Sequence, residues 1–183
     1  MEKTQKEKNE LWEWIKALLI AFAIAAFIRY FLFTPIVVDG DSMMPTLEDG
    51  DRMIVNKIGG LDRFDIVVFH APEEKDYIKR VIGLPGDHVE YKDDQLYING
   101  EPIAEPYLDP YKAQLTEGNL TGDFTLQDIE PKIDVIPEGH VFVMGDNRRF
   151  SKDSRHIGIV NQDEIIGRTN IIFWPINEIK IVK

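Results

Sequence analysis

A hydroxyl, an amine and a crowd of charged side chains, in three separate stretches, are the groups in this chain with chemistry to offer. The first stretch is Gly40-Asp41-Ser42-Met43-Met44-Pro45-Thr46-Leu47, with a serine ahead of a proline that fixes the next turn. Such a hydroxyl is either an exposed nucleophile or a turn residue bonded to nearby backbone. The second stretch is Tyr77-Ile78-Lys79-Arg80-Val81-Ile82-Gly83-Leu84-Pro85-Gly86-Asp87. Strand alternation puts Tyr77, Lys79 and Val81 on one face and Ile78, Arg80 and Ile82 on the other. A lysine among bulky apolar neighbours either extends its head to solvent or is buried; burial, helped by the Arg80 charge, would lower its pKa. The size of that shift decides what the amine can do. At its ordinary value of ~10.4 about one lysine in 2,500 is neutral at pH 7, a penalty of about 4.6 kcal/mol. A general base must recover much of that through desolvation. The third stretch is Met144-Gly145-Asp146-Asn147-Arg148-Arg149-Phe150-Ser151-Lys152-Asp153-Ser154-Arg155, either a hydrogen-bonded scaffold or a solvated loop.

The elements that must position these groups read as β. Short runs rich in valine and isoleucine recur at Ile36–Val38, Met53–Val55, Ile66–Phe69, Ile78–Ile82, Val89–Tyr91, Leu96–Ile98, Val141–Met144, Thr169–Trp174 and Ile179–Val182. Asp93-Asp94 and Asn99-Gly100 predict tight hairpin turns, since Asn-Gly accepts the positive φ of a type I′ turn. Residues 106–137 are polar and read as a long connection or a poorly ordered excursion. The expected fold is mainly β: antiparallel sheet coiled into a compact, barrel-like domain, on one N-terminal helix.

That helix comes from an abrupt change in composition. Residues 1–16 are polar, with Lys3, Lys6, Lys8 and Lys16, and Trp12 and Trp14 near their end. From Ala17 to Phe33 the chain is apolar except for Arg29. At 1.5 Å per residue this run spans roughly 25 Å, slightly short of a ~30 Å hydrocarbon core. Lys16 and Arg29 can extend toward the two headgroup layers, and tryptophan suits the interface. Two other readings compete. One is a cleaved leader ending at Ala23-Ile24-Ala25; against it stand the charge-balanced preceding segment and the apolar run that resumes after Arg29. The other is a buried core helix. With the anchor retained, four lysines precede the span and only Arg52 follows within 20 residues, which predicts a cytoplasmic N-terminus (1–16), a membrane span (17–33) and an extracytoplasmic domain (34–183).

Composition narrows the function classes. The net charge is −11, and residues 34–183 alone carry 16 basic against 28 acidic groups, which argues against nucleic acid as a partner. There is no cysteine, hence no disulfide, no Cys-ligated zinc and no thiol nucleophile. No His-Glu-x-x-His, EF-hand or nucleotide-loop spacing occurs, so no metal and no cofactor are expected. His70, His88, His140 and His156 leave a Ser-His-Asp hydrolase as an enzymatic rival, but none lies in a nucleophile-elbow or trypsin-like context. An anchored, non-enzymatic peptide-binding domain is the other alternative.

In combination and in order, Ser-Met-x-Pro-Thr-Leu, Tyr-Ile-Lys-Arg-Val-Ile-Gly-Leu-Pro-Gly-Asp and Gly-Asp-Asn-Arg with Ser-x-Asp-Ser-Arg closely resemble the boxes of bacterial type I signal peptidases. Asp49-Gly50-Asp51-Arg52-Met53-Ile54-Val55-Asn56-Lys57 resembles the intervening box, and the single anchor resembles the compact Gram-positive type. The resemblance implies a membrane-anchored serine endopeptidase that cuts signal peptides from exported preproteins after small residues of the Ala-x-Ala type. By the same similarity Ser42 is the nucleophile and Lys79 the general base. Ser151 would orient the amine, while Asp146, Asp153, Arg80 and Arg155 hold the active-site loops. Ile36, Val38 and Ile78 are the expected walls of the substrate pockets. The implied partners are signal peptides and the lipid bilayer, and a monomer is assumed. Two departures stand out. Gly40 lies where Gram-negative relatives carry a hydroxyl that serves as second oxyanion donor, and Arg149-Phe150 replaces a common Asp-Asn pair.

Overall fold

The computed structural model describes residues 2–182. They form two compact units, the first ending at Thr34 and the second running from Pro35. The first is one long helix, α1 (Glu2–Phe31), with apolar side chains all round and no one-sided stripe. Its window Trp12–Phe31 is 20 residues long, apolar enough to cross a membrane, and has no buried residue. At 1.5 Å per residue that is about 30 Å, because the helix recruits Trp12–Lys16 ahead of the apolar run. A buried core helix is therefore excluded. The helix stops at Phe31, two residues before the expected end of the span, and Phe33 already opens a strand. The lysines at 3, 6 and 8 lie outside the residues whose side chains are described.

The second unit is antiparallel β-structure in two sheets. The larger sheet joins β1 (Phe33–Val37), β2 (Arg52–Asn56), β11 (Ile165–Trp174), β3 (Ile66–Ala71), β4 (Lys75–Gly83), β9 (His140–Met144) and β10 (Val160–Asn161), in that spatial order. β12 (Lys180–Ile181) pairs with the end of β11. The smaller sheet runs β7 (Glu101–Ile103), β6 (Gln95–Ile98), β5 (Val89–Lys92), β8 (Phe124–Thr125). Among the described residues neither sheet closes on itself, so the expected barrel-like coil is not a closed barrel. All nine expected strand runs are present. β7, β8 and β10 are two or three residues long, too short to leave a period in the sequence.

The hairpin turns follow from local chemistry. Asp93 and Asp94 both have positive φ between the paired ends Lys92 and Gln95, and Asn99-Gly100 does the same between Ile98 and Glu101. Three apolar clusters then fix the sheets. One, around Met43, Leu47, Met53, Ile66 and Ile172, lies under the serine loop. A second, around Val67, Phe69, Val81 and Val143, backs β3, β4 and β9. The third, around Ile82, Tyr91, Leu126 and Phe142, joins the two sheets.

The excursion at 106–137 is tied down rather than poorly ordered. It contains a 3₁₀ turn (Pro106–Leu108), α2 (Asp109–Lys112), β8 and α3 (Leu126–Ile129), and it buries Leu108, Leu120, Leu126 and Ile136. Its anchor is polar. Arg148, fully buried, pairs with Glu105 at 2.5 Å and donates to the Tyr91 hydroxyl at 2.8 Å and to Thr121 Oγ1 at 3.2 Å. Glu105 Oε1 also accepts the hydroxyls of Tyr91 (2.8 Å) and Tyr107 (2.6 Å). Glu105→Ala leaves a guanidinium buried without its counter-ion and is expected to cost about 3–5 kcal/mol in urea unfolding of the full chain. Glu105→Gln, which keeps an acceptor, is expected to cost less. A loss below about 1 kcal/mol for the alanine variant would mean the pair does not hold the segment.

Candidate active site

Ser42 lies in the loop between β1 and β2. Met43 and Leu47, 1% and 0% exposed, peg that loop into the core just after the serine. Burying two such side chains contributes about 2–3 kcal/mol each, which fixes the hydroxyl without any bond to it. Gly40 has φ +88 with open space around it, and its N–H donates to Asp49 Oδ1 at 2.8 Å. The far side of the loop is gripped by the turn after β9. Asn147 N–H donates to the Ser42 carbonyl at 3.1 Å, and Asn147 Nδ2 to the Asp41 carbonyl at 3.0 Å. The close approach depends on Gly145, where a Cβ would overlap both the Ser42 carbonyl and Ser151 Oγ.

Lys79 comes from the middle of β4, opposite Val67 of β3. It is 3% exposed, and its Nζ lies 2.7 Å from Ser42 Oγ and 2.8 Å from the Ile78 carbonyl. Burial lowers its pKa to about 8, against the opposing pull of the Asp153 and Asp146 carboxylates. At that value about one amine in ten is neutral at pH 7. The expected help from the Arg80 charge is not what lowers it. Arg80 points to the other face of β4 and pairs with Asp146 through both Nε (2.9 Å) and Nη2 (2.6 Å). Its plane stacks 3.9 Å from the centre of the Tyr107 ring.

Asp146 also accepts the Thr46 hydroxyl at 2.5 Å, so one carboxylate joins the serine loop, β4 and the turn after β9. Asp153 accepts Gly145 N–H at 3.0 Å and pairs with Arg155 through Nε and Nη2, both at 2.8 Å. Burial pushes its carboxyl up, but the Arg155 pair and the Gly145 N–H outweigh that and hold it below the usual range. Ser154 Oγ accepts Val143 N–H at 2.9 Å. The third stretch is thus a hydrogen-bonded scaffold and not a solvated loop.

Ser151 differs from its expected role. Its Oγ is buried beside Gly145 with no hydrogen-bond partner among the described residues, and the second bond of Lys79 goes to the Ile78 carbonyl instead. Packing against Gly145 and Ser42 holds the hydroxyl there. Gly145, Thr46, Asn147 and Ser154 all lie inside the recognised boxes yet carried no individual signal. Glu105 lies outside every box.

A cavity of about 520 Å³ opens onto Ser42 and Lys79 between residues 36–40 and 75–79. Ile36, Val38 and Ile78 line it, with Met43, Val68 and Tyr77. None of the four histidines does. β9 pairs with β4 only from Arg80 onward, so the 75–79 edge beside the cavity has no strand partner on that side among the described residues.

The family described as "Signal peptidase, peptidase S26" matches residues 11–174 of this sequence. This chain belongs to the S26 signal peptidases. Signal peptidase I of Bacillus caldolyticus is 49% identical over 182 residues, 97% of each chain. Signal peptidase IB of Staphylococcus aureus (strain Mu50) is 48% identical over 181 residues, 94% of each. The crystal structure of a signal peptidase I from Enterococcus faecalis V583 superposes with a TM-score of 0.58 at 46% identity, covering 61% of this chain and 97% of that one. Within this S26 peptidase, the unusual Arg149 donates to the Glu117 and Asn119 carbonyls, tying the excursion to the third box, and Phe150 is 79% exposed.

The lowered Lys79 value carries a stability cost of known sign. The folded pKa lies below the unfolded one, so the penalty is complete below about pH 8 and fades as pH rises toward 10.5. A shift of that size corresponds to roughly 3 kcal/mol. Lys79→Met, which fills the same space without charge, is expected to gain about 1–3 kcal/mol at pH 6–7 and little at pH 10.5, measured by urea unfolding. Destabilisation at pH 7 would contradict burial of a reluctant amine.

Proposed function

We propose that this S26 peptidase removes signal peptides from exported preproteins by Ser42–Lys79 acyl-enzyme catalysis. The observation that carries the reading is the 2.7 Å separation of Ser42 Oγ from a Lys79 amine that is 3% exposed and titrates at about 8. In its neutral form Lys79 Nζ takes the proton as Ser42 Oγ bonds to the scissile carbonyl carbon. The ammonium then delivers that proton to the departing amine of the mature chain. Neutral again, it deprotonates the water that attacks the acyl-enzyme and frees the signal peptide's new carboxylate. The Ser42 backbone N–H is one oxyanion donor. Gly40 has no side chain, and its N–H is held by Asp49, so a second donor is another backbone N–H or water.

Substrate choice follows from the cleft. An extended peptide pairing with the free edge at 75–79 would point alternate side chains inward, toward Ile36, Val38 and Ile78. Shallow apolar walls of that kind favour alanine at the first and third positions before the cut. The 20-residue apolar helix would anchor the enzyme, with the preceding lysines on the cytoplasmic side. From Phe33 to Ser42 the chain spans at most about 30 Å, which keeps the nucleophile near the bilayer surface where a membrane-held signal peptide exposes its cleavage site.

Incubating the full chain in detergent with a preprotein and sequencing the new N-terminus is the direct test, with a cut after Ala-x-Ala expected. Ser42→Ala and Lys79→Ala are expected to lose at least ~10³-fold in kcat/KM while remaining folded. Because the neutral amine is the active form, kcat/KM should rise through about pH 8 and level off above it. Full activity in either variant would overturn the assignment.

A further inference from the structure

Beside the dyad, the hairpin joining β3 to β4 meets the loop that carries Ser151 and Asp153 at one carboxylate. Glu73, in the hairpin turn, accepts the Tyr77 hydroxyl through Oε2 at 2.8 Å. Its other oxygen, Oε1, pairs with the Lys152 ammonium. The Tyr77 ring in turn covers the amine of the base, with Lys79 Nζ 5.0 Å from the ring centre. Tyr77, Lys79 and Lys152 line the same cavity. Glu73 therefore links an aromatic cover over Lys79 to the loop on the opposite wall. Nothing in the acyl-transfer steps uses it.

We infer that Glu73 and Lys152 form a clamp that holds the Tyr77 ring against the Lys79 amine and excludes water from it. The inference rests on the Ser42–Lys79 reading, and it makes both members positioning residues. The pair is half exposed, 51% for Lys152 and 48% for Glu73, so it contributes little to global stability. Its effect is local. Released from Glu73, the hairpin and its tyrosine would let water reach Nζ, and hydration favours the ammonium. The other charged groups around Lys79 are already neutralised in place: Asp146 by Arg80, and Asp153 by Arg155.

Because the two members carry opposite charge, a clamp is separable from a simple field effect. Through space, removing the Glu73 charge would make Lys79 easier to deprotonate, and removing the Lys152 charge would leave it harder or unchanged by comparison with the wild type in the opposite sense. A clamp moves both variants the same way. The experiment uses the full chain in detergent carrying Glu73→Gln or Lys152→Met. In a Ser42→Ala background, the pH dependence of Lys79 acetylation by acetic anhydride, followed by mass spectrometry, reports the amine directly. In the active background, kcat/KM on a preprotein is measured from pH 6 to 10. Both variants are expected to raise the Lys79 midpoint by about 0.5–1 unit, with kcat/KM about three- to tenfold lower at pH 7 and near wild type at pH 10. Tyr77→Phe, which keeps the ring but loses the bond to Glu73, is expected to shift in the same direction by less. Melting temperatures should stay within about 2 °C of the parent. Shifts of opposite sign, or an activity loss equal at every pH with Lys79 labelling unchanged, would overturn the clamp. The labelling does not depend on cleavage, so failure of the clamp is distinguishable from failure of the Ser–Lys mechanism, which Lys79→Ala tests on its own.

Discussion

The site depends on keeping one amine dry in the company of two carboxylates. Asp146 and Asp153 both act on Lys79 in the direction that would keep it an ammonium, yet burial prevails and the value falls to about 8. Each carboxylate is held by a guanidinium through two bonds, which turns its charge away from the amine. Buried acid–base pairs of this kind are not chosen for stability, since well-packed apolar residues would do as well. They make the geometry unique. A carboxylate that accepts from Thr46 and Arg80 at once admits one arrangement of the serine loop against β4.

Two layers of packing serve that arrangement. Met43 and Leu47 fix the serine loop from below by apolar burial, and Gly145 lets the turn after β9 approach to bonding distance of the Ser42 peptide from above. The second sheet extends the same logic outward. Arg148 is rooted in the Glu105–Tyr91–Tyr107 cluster and donates back to the Gly145 carbonyl at 3.1 Å, so the excursion supports the turn that supports the nucleophile.

Much of this was legible in the sequence, for reasons that differ by residue. The long strands and both tight hairpins announced themselves through β-branched runs and Asp-Asp or Asn-Gly turns, which are local signals. The serine, the lysine and their paired acids and arginines were legible only through their resemblance to known boxes. Taken one at a time, each had a bland alternative. What escaped was non-local. The role of the Arg80 charge was misjudged because its partner, Asp146, lies 66 residues away. The excursion at 106–137 gave no period because its buried residues, Leu108, Leu120, Leu126 and Ile136, come singly between polar stretches. Glu105 had no motif at all, although it is the counter-ion of a fully buried arginine. For Ser151 the resemblance supplied a role, and the packing against Gly145 places its hydroxyl out of bonding reach of any described group.

The carboxylate of Asp146 gathers Thr46, Arg80 and its own turn, three points spread across a hundred residues of chain. During synthesis the serine and lysine are therefore made long before the residue that locks them together. A growing polypeptide that has not yet delivered position 146 holds neither the clasp nor the dry pocket, so nascent chains stay proteolytically silent until nearly four-fifths of the molecule has left the ribosome.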